Sequence, residues 1–173
     1  VMAWCEDARQ SIDDEAAMRD CSSREFATTL CAAIVSPGRS IFFQIGDGAI
    51  TIGRDGMYGV VFWPQSGEYA NSTNFLTAKL FSNYLEYLAV PGSFTDVALF
   101  TDGLERLALN FEAQTPHTPF FNPLFKTLRT AEDLDSLGGD FQQFLMSPSI
   151  SSRSDDDKSL ILASSSVGEN RKE

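Results

Sequence analysis

Long apolar runs are missing from this sequence of 173 residues. No stretch approaches the roughly 18 consecutive apolar residues that a membrane-spanning helix needs. Residues 1–7 also lack the basic and then apolar order of a secretory signal peptide. The sequence therefore predicts neither a membrane-spanning helix nor a secretory signal.

Cysteine and histidine are scarce, which excludes several kinds of site. Cys5, Cys21 and Cys31 form no Cys-x-x-Cys pair, so a disulfide framework and a structural zinc site are disfavoured. With one histidine, His117, and no Gly-x-Ser-x-Gly, a His-based serine hydrolase is disfavoured too. No glycine-rich loop resembles a P-loop or a dinucleotide-binding turn. We expect free thiols in a cytoplasmic protein, and a loop position for His117.

Basic residues are outnumbered, with 13 Lys and Arg against 24 Asp and Glu, giving a net charge of −11. A surface this acidic repels phosphate backbones and anionic lipid, so we expect no nucleic-acid partner and no membrane partner. It favours cationic partners, including metal ions.

An ample core is available, because 43% of the residues are hydrophobic and 14 are Phe. Without a linker or an internal repeat, we expect one domain over 1–173. Short strands separated by turns predict an antiparallel sheet rather than a βαβ repeat. The expected elements of the first half are a helix over 3–20, strands over 27–35, 40–45, 49–52 and 58–63, and a loop over 64–77.

The second half alternates strand and helix patterns. Leu99 and Ile161 are expected to be buried, and the strands that end at residues 45 and 101 should run opposite to the last strand. The expected elements are a strand over 97–101, a helix over 104–111, a loop over 116–123, helices over 124–128 and 130–146 with a break at Gly138-Gly139, a loop over 147–154, a strand over 158–163 and a frayed tail over 164–173.

Three acidic positions lie at strand ends. Asp47 follows one strand, Asp102 follows another, and Asp155, Asp156 and Asp157 precede the last. If the last strand is antiparallel to the others, these carboxylates meet at one edge of the sheet. Such carboxylates repel each other unless a cation neutralises them, and hard oxygen ligands suit Mg²⁺ or Mn²⁺.

Simpler interpretations exist for each acidic position. Asp-Gly, found at Asp47 and Asp102, is a common turn dipeptide. Three consecutive aspartates beside Arg153 and Lys158 also fit a solvated loop. Only the joint pattern of acid, short apolar strand and shared edge indicates a metal site.

The ordered set of motifs resembles the type 2C metal-dependent protein Ser/Thr phosphatases, in particular their bacterial stand-alone branch. The resemblance spans about residues 24–163. It rests on residues 24–30 (REFATTL), 45–50 (IGDGAI), 63–71 (WPQSGEYAN), 100–107 (FTDGLERL) and 155–160 (DDDKSL).

The resemblance implies an α+β fold of two packed antiparallel sheets flanked by helices. It also implies a pair of Mg²⁺ or Mn²⁺ ions that bind phosphate and activate a water, without a covalent side-chain intermediate. Asp102 and Asp156 match the family's metal-binding aspartates, and Asp47 matches an aspartate linked to a third metal. Arg106 stands where many members carry a further acidic ligand.

Residues 1–26 match neither the family's first strand nor the Asp-Gly segment whose aspartate bridges the two ions. The chain therefore looks like a phosphatase domain that starts after its first strands. We expect either a phosphoprotein phosphatase, opposing a Ser/Thr kinase and catalytically incomplete as given, or a non-catalytic relative that binds a phosphoprotein or another partner. An acidic interaction domain without metal remains a third possibility if the carboxylates point apart.

Overall fold

The structure, a computed structural model, describes residues 1–65 and 73–165. Three 3₁₀ turns, at Ser23–Phe26, Phe81–Asn83 and Asp102–Leu104, connect the regular elements. The helices are α1 (Met2–Met18), α2 (Glu105–Ala108), α3 (Thr118–Thr130), α4 (Leu134–Leu145) and α5 (Pro148–Ser151). The strands are β1 (Leu30–Val35), β2 (Arg39–Ile45), β3 (Ala49–Arg54), β4 (Met57–Phe62), β5 (Glu86–Pro91), β6 (Asp96–Phe100), β7 (Leu109–Asn110), β8 (Thr115–Pro116) and β9 (Leu160–Ser164).

Two antiparallel sheets form the centre of the fold, which confirms the predicted fold class. One has the order β1-β2-β5, and the other has the order β4-β3-β6-β9. A buried cluster of Phe42, Ile50 and Val97 joins residues from both sheets. The predicted antiparallel pairing of β6 with the last strand is confirmed. The chain has no helix, within the described ranges, that is long and apolar enough to cross a membrane.

The turn at Gly46-Asp47-Gly48 carries the chain from one sheet to the other. The sequence pattern predicts one antiparallel sheet for these strands, but β2 and β3 belong to different sheets. Gly46 has a φ of +105°, and a Cβ there would lie 2.4 Å from the Thr29 side chain. Only glycine suits a position with this backbone angle and this little space.

Helices cover the outer face of each sheet. Phe121 and Phe125 of α3 are fully buried in the same cluster as Ala98 and Phe100 of β6. On the other side, Cys5 of α1 packs in a cluster with Phe43 and Ile45 of β2. These clusters agree with the helix predicted at the N-terminus.

Two helix predictions were wrong around α3. Residues 116–123 were expected to form a loop, but α3 begins at Thr118, with Pro119 in its first turn, where proline is tolerated. The predicted helix over 104–111 ends at Ala108, because Leu109 starts a hairpin between β7 and β8.

The predicted break at Gly138-Gly139 was also wrong. Helix α4 continues through both glycines, because Leu137 is buried and apolar neighbours along the helix pack on the core. The helix boundary lies instead at Asp133, whose carboxylate accepts hydrogen bonds from the N–H groups of Asp135 (3.0 Å) and Ser136 (3.2 Å). The predicted loop over 147–154 contains α5.

Edge strands account for the remaining differences. Strand β5, which pairs only with β2 in its sheet, was missed because most of its side chains are exposed and show no alternation. Ile161 was expected to be buried, but it is 63% exposed on the edge strand β9. Its cross-strand partner Leu99 is half-buried. The predicted loop over 64–77 and tail over 164–173 fall partly outside the described residues.

Candidate functional site

The ends of three strands lie side by side along one side of the four-stranded sheet. This row of strand ends is the edge referred to below. Ala49 pairs with Phe100 in register, and Phe100 pairs with Leu160. Asp47 therefore lies just before β3, Asp102 just after β6, and Asp156 just before β9, all at the same edge. The antiparallel geometry brings together acidic residues that are more than 50 positions apart in the sequence.

The turn that holds Asp102 is packed tightly against the loop before β9. The Asp102 Oδ1 atom accepts a hydrogen bond of 2.9 Å from the Gly103 N–H. A Cβ on Gly103 would lie 2.3 Å from the carbonyl oxygen of Asp157, so glycine lets the two backbones touch. The Ser159 N–H also donates to the Thr101 hydroxyl at 3.0 Å. These contacts fix the backbone of Asp102 relative to the acidic loop.

Asp47 lies in the turn between the sheets. Its carboxylate accepts a hydrogen bond from the Thr73 hydroxyl. A cavity of about 390 Å³ beside it is lined by Trp63, Glu105 and Phe111, among others. The Trp63 and Phe111 rings pack edge to face, with centroids 5.6 Å apart, and give this cavity an aromatic wall.

A second, smaller cavity lies on the other side of Glu105. It has a volume of about 130 Å³ and is lined by both acidic and basic groups. Glu105 lines both cavities and so lies between Asp47 and the loop before β9. The lining residues of the smaller cavity are Asp102, Gly103, Glu105, Arg106, Arg153, Ser154, Asp155 and Asp156.

Like charges dominate the electrostatics of this cleft. Burial raises the pKa of Asp102 above its ordinary value, and repulsion from Asp47 and Asp156 raises it further. The pKa of Glu105 is raised by burial and then by Asp102, while Arg106 partly opposes the shift. Among the described residues, none of these carboxylates forms a salt bridge. The nearby arginines therefore offset their negative charge only in part, and a cation would lower the free energy of the cleft.

The carboxylates of the cleft are chemically suited to a divalent cation, but too few of them converge on one point to surround an ion. Within residues 1–65 and 73–165, no three acidic, cysteine or histidine side chains are grouped closely enough to hold one ion together. Mg²⁺ is usually bound through one or two carboxylates and keeps several waters, which suits carboxylates that are near each other without converging. The assignment of Asp102, Asp156 and Asp47 as metal ligands stays a prediction.

The sequence interpretation missed Glu105 and Arg153 as members of the cleft. Glu105 follows Asp102 by three residues, a helical spacing that places both on one side of a turn, and this signal could have identified it. Arg153 had no such signal, because only the fold brings it to the cavity. His117 lies immediately before α3, in the predicted loop position, and its ring Nδ1 is 2.9 Å from the Leu107 carbonyl oxygen. All three cysteines are free.

Comparison with known proteins identifies the family. The family model described as protein phosphatase 2C matches residues 1–144, which is more than half of the chain. The chain belongs to the protein phosphatase 2C family. The match confirms the resemblance drawn from the motifs. It includes Asp47 and Asp102, and it ends before Asp156.

A curated relative and two solved structures agree with this assignment. Serine/threonine-protein phosphatase 3 of Escherichia coli (strain K12) is 41% identical over 157 residues, which are 90% of this chain and 62% of that protein. The crystal structure of a bacterial serine phosphatase aligns with a TM-score of 0.55 at 14% identity, over 92% of this chain and 66% of that one. Serine/threonine phosphatase Stp1 from Staphylococcus aureus aligns with a TM-score of 0.54 at 13% identity, over 92% and 64%.

These comparisons establish the family and the fold. At 13% and 14% identity, the two structural neighbours show the fold alone. The chain spans less than two thirds of the length of its curated relative.

Proposed function

We propose that this chain forms the metal-binding edge of a protein phosphatase that removes phosphate from phosphoserine and phosphothreonine in proteins. Family membership supports the reaction class, and the carboxylates that meet at the sheet edge without a salt-bridge partner support the assignment of the site. The substrate is then a phosphoprotein, and the enzyme opposes a Ser/Thr kinase.

In this proposal the carboxylates of the cleft bind metal ions, and its guanidinium groups bind the phosphate of the substrate. Asp102 and Asp156, with Asp47 at the edge, would hold Mg²⁺ or Mn²⁺. When bound, such ions neutralise charge on the phosphate oxygens and activate a water for attack on phosphorus. Arg106 and Arg153 line the same small cavity, where their planar donor groups suit the oxygens of a phosphate. Glu105 lines both cavities, and its carboxylate adds a further negative charge to the cleft.

Calorimetric titration of the chain with Mn²⁺ tests the metal site. We expect Asp102→Asn to weaken binding about tenfold or more, because the substitution removes a charged oxygen ligand and keeps the side-chain size. The control is Asp7→Asn, which removes the same charge from an exposed position on α1. Equal Mn²⁺ affinities in the two variants would contradict the assignment.

A second candidate function is a non-catalytic relative that binds a phosphoprotein. The lack of a three-ligand group among the described residues favours this alternative. Hydrolysis of p-nitrophenyl phosphate in saturating Mn²⁺ separates the two candidates. Turnover that Asp102→Asn abolishes supports the phosphatase, whereas Mn²⁺ binding with hydrolysis at the background rate supports the non-catalytic relative.

We expect hydrolysis by these 173 residues alone to be slow. Two divalent ions about 3.5–4 Å apart repel each other unless an anionic group bridges them. Residues 1–26 do not resemble the family segment that carries the bridging aspartate, so we expect one bound ion rather than two. A rate typical of enzymes, about 1 per second or more, would show that a bridging carboxylate was overlooked.

A further inference from the structure

A large cavity lies away from the acidic cleft. It has a volume of about 780 Å³ and lies between α1, the Ser23–Phe26 turn and the segment 75–84. Helix α1 packs with β2 of the three-stranded sheet, whereas the acidic cleft is at an edge of the four-stranded sheet. We call this cavity the α1 cleft.

The α1 cleft gathers positive charge on a protein that is strongly negative. Arg9, Arg24 and Lys79 line it, against one carboxylate, Asp13. These are three of only 13 basic residues in a chain with a net charge of −11. Such a local reversal of sign attracts anionic groups that the rest of the surface repels.

The basic groups of the α1 cleft form few ion pairs with other described residues of the chain. Arg9 approaches Asp13 at 3.9 Å, the long limit of an ion pair, while the Asp13 carboxylate accepts a 2.6 Å hydrogen bond from the Ser23 hydroxyl. Arg24 and Lys79 are exposed and take part in no salt bridge of the described chain. Their charges are therefore available to a partner.

Apolar surface accompanies these charges. Leu80 is 63% exposed and Tyr84 is 41% exposed, and both line the α1 cleft. The Arg9 guanidinium lies over the ring of Phe81, 5.8 Å from its centroid, and this contact holds the side chain in place. A ligand that combines negative charge with an aliphatic side chain would satisfy both features.

We infer that the α1 cleft binds an acidic segment of a partner protein, with carboxylates facing Arg24 and Lys79 and an aliphatic side chain against Leu80. The cleft is large enough for several residues of an extended peptide. This docking role is independent of the chemistry proposed for the acidic cleft.

Fluorescence anisotropy with two labelled peptides tests the inference. The probe is an eight-residue peptide of alternating glutamate and leucine, and the matched control peptide replaces each glutamate with lysine. We expect saturable binding of the acidic peptide alone, and loss of that binding in 1 M NaCl, where screening shortens the Debye length to about 3 Å. Absence of binding by the acidic peptide, or equal binding of both peptides, would overturn the inference.

Charge variants locate the binding site. Arg24→Ala and Lys79→Ala should each weaken the affinity for the acidic peptide about two- to fivefold, as expected for an exposed ion pair. Lys126→Ala is the control, because it removes the same charge from an exposed position on α3. Equal affinities for the Lys79→Ala and Lys126→Ala variants would place the peptide elsewhere.

Amide chemical shifts locate the bound peptide independently of the variants. Backbone amide shifts on adding the acidic peptide should be confined to residues 9–27 and 75–84. Shifts centred on Asp102 instead would overturn the inference.

Discussion

The ion pair between Asp96 and Arg129 offers a direct measure of what holds β6 in place. The Asp96 side chain is only 2% exposed, and its Oδ1 atom accepts hydrogen bonds of 2.6 Å from both Arg129 and the Ser164 hydroxyl. The network thus ties the start of β6 to α3 and to the end of β9. Arg129 is 39% exposed, so the two partners differ greatly in burial.

This difference predicts unequal costs for removing each partner. Arg129→Met keeps the aliphatic stem and leaves a buried carboxylate without its cation, which should lower the free energy of unfolding by about 3 kcal/mol. Asp96→Ala leaves a cation that can turn into water, and should cost about 2 kcal/mol, mainly for the lost hydrogen bonds. The double variant should be more stable than Arg129→Met alone, because no buried charge remains.

Urea denaturation followed by tryptophan fluorescence measures these free energies. For a chain of this length, 3 kcal/mol corresponds to a fall of about 6–12 °C in Tm. Lys126→Ala, an exposed change on the same helix, should stay within about 0.5 kcal/mol of the parent chain. A cost for Asp96→Ala that exceeds the cost for Arg129→Met would refute the reasoning.

Four further substitutions follow from burial and charge. Asp102→Asn should raise the Tm of the metal-free protein at neutral pH, because burial and repulsion raise the pKa of Asp102 and make its ionised form costly; thermal melts should show the gain fading as acid protonates the carboxyl in the parent chain. Gly103→Ala should cost about 1–3 kcal/mol in urea denaturation, since its Cβ would press on the Asp157 carbonyl. Phe121→Ala should cost about 3–5 kcal/mol, whereas Ile161→Ala should cost less than about 1 kcal/mol because the side chain is mostly exposed; equal costs for these two would contradict the assigned core.

Acidic residues at strand ends were the most informative feature of the sequence. The alternation of short apolar strands with Asp-Gly turns predicted where Asp47 and Asp102 would lie, because antiparallel pairing leaves few alternatives. The division into two sheets was not predictable in this way. A tight turn such as the one at Gly46 looks the same in sequence whether the next strand pairs with the previous one or crosses to another sheet.

The errors share a physical cause, because tertiary contacts overrode local patterns. Two prolines near the start of α3 suggested a loop, but Phe121 and Phe125 bury their rings against β6 and stabilise a helix there. Two glycines suggested a break in α4, and packing of its apolar face prevented one. Strand β5 gave no apolar signal because it is an edge strand, held by hydrogen bonds to β2 rather than by burial.

Strand β6 connects the stability of the fold to the proposed chemistry. At one end, Asp96 is neutralised by Arg129 and fixed by Ser164 of β9. At the other end, burial and the nearby carboxylates raise the pKa of Asp102, and no salt bridge in the described residues offsets the repulsion. Because the same two strands, β6 and β9, are joined at both ends, the first network resists the separation that repulsion at the second would otherwise cause. These contacts hold the two strands in register at the acidic edge, so a divalent cation of the kind proposed above would bind there without reorganising the sheet.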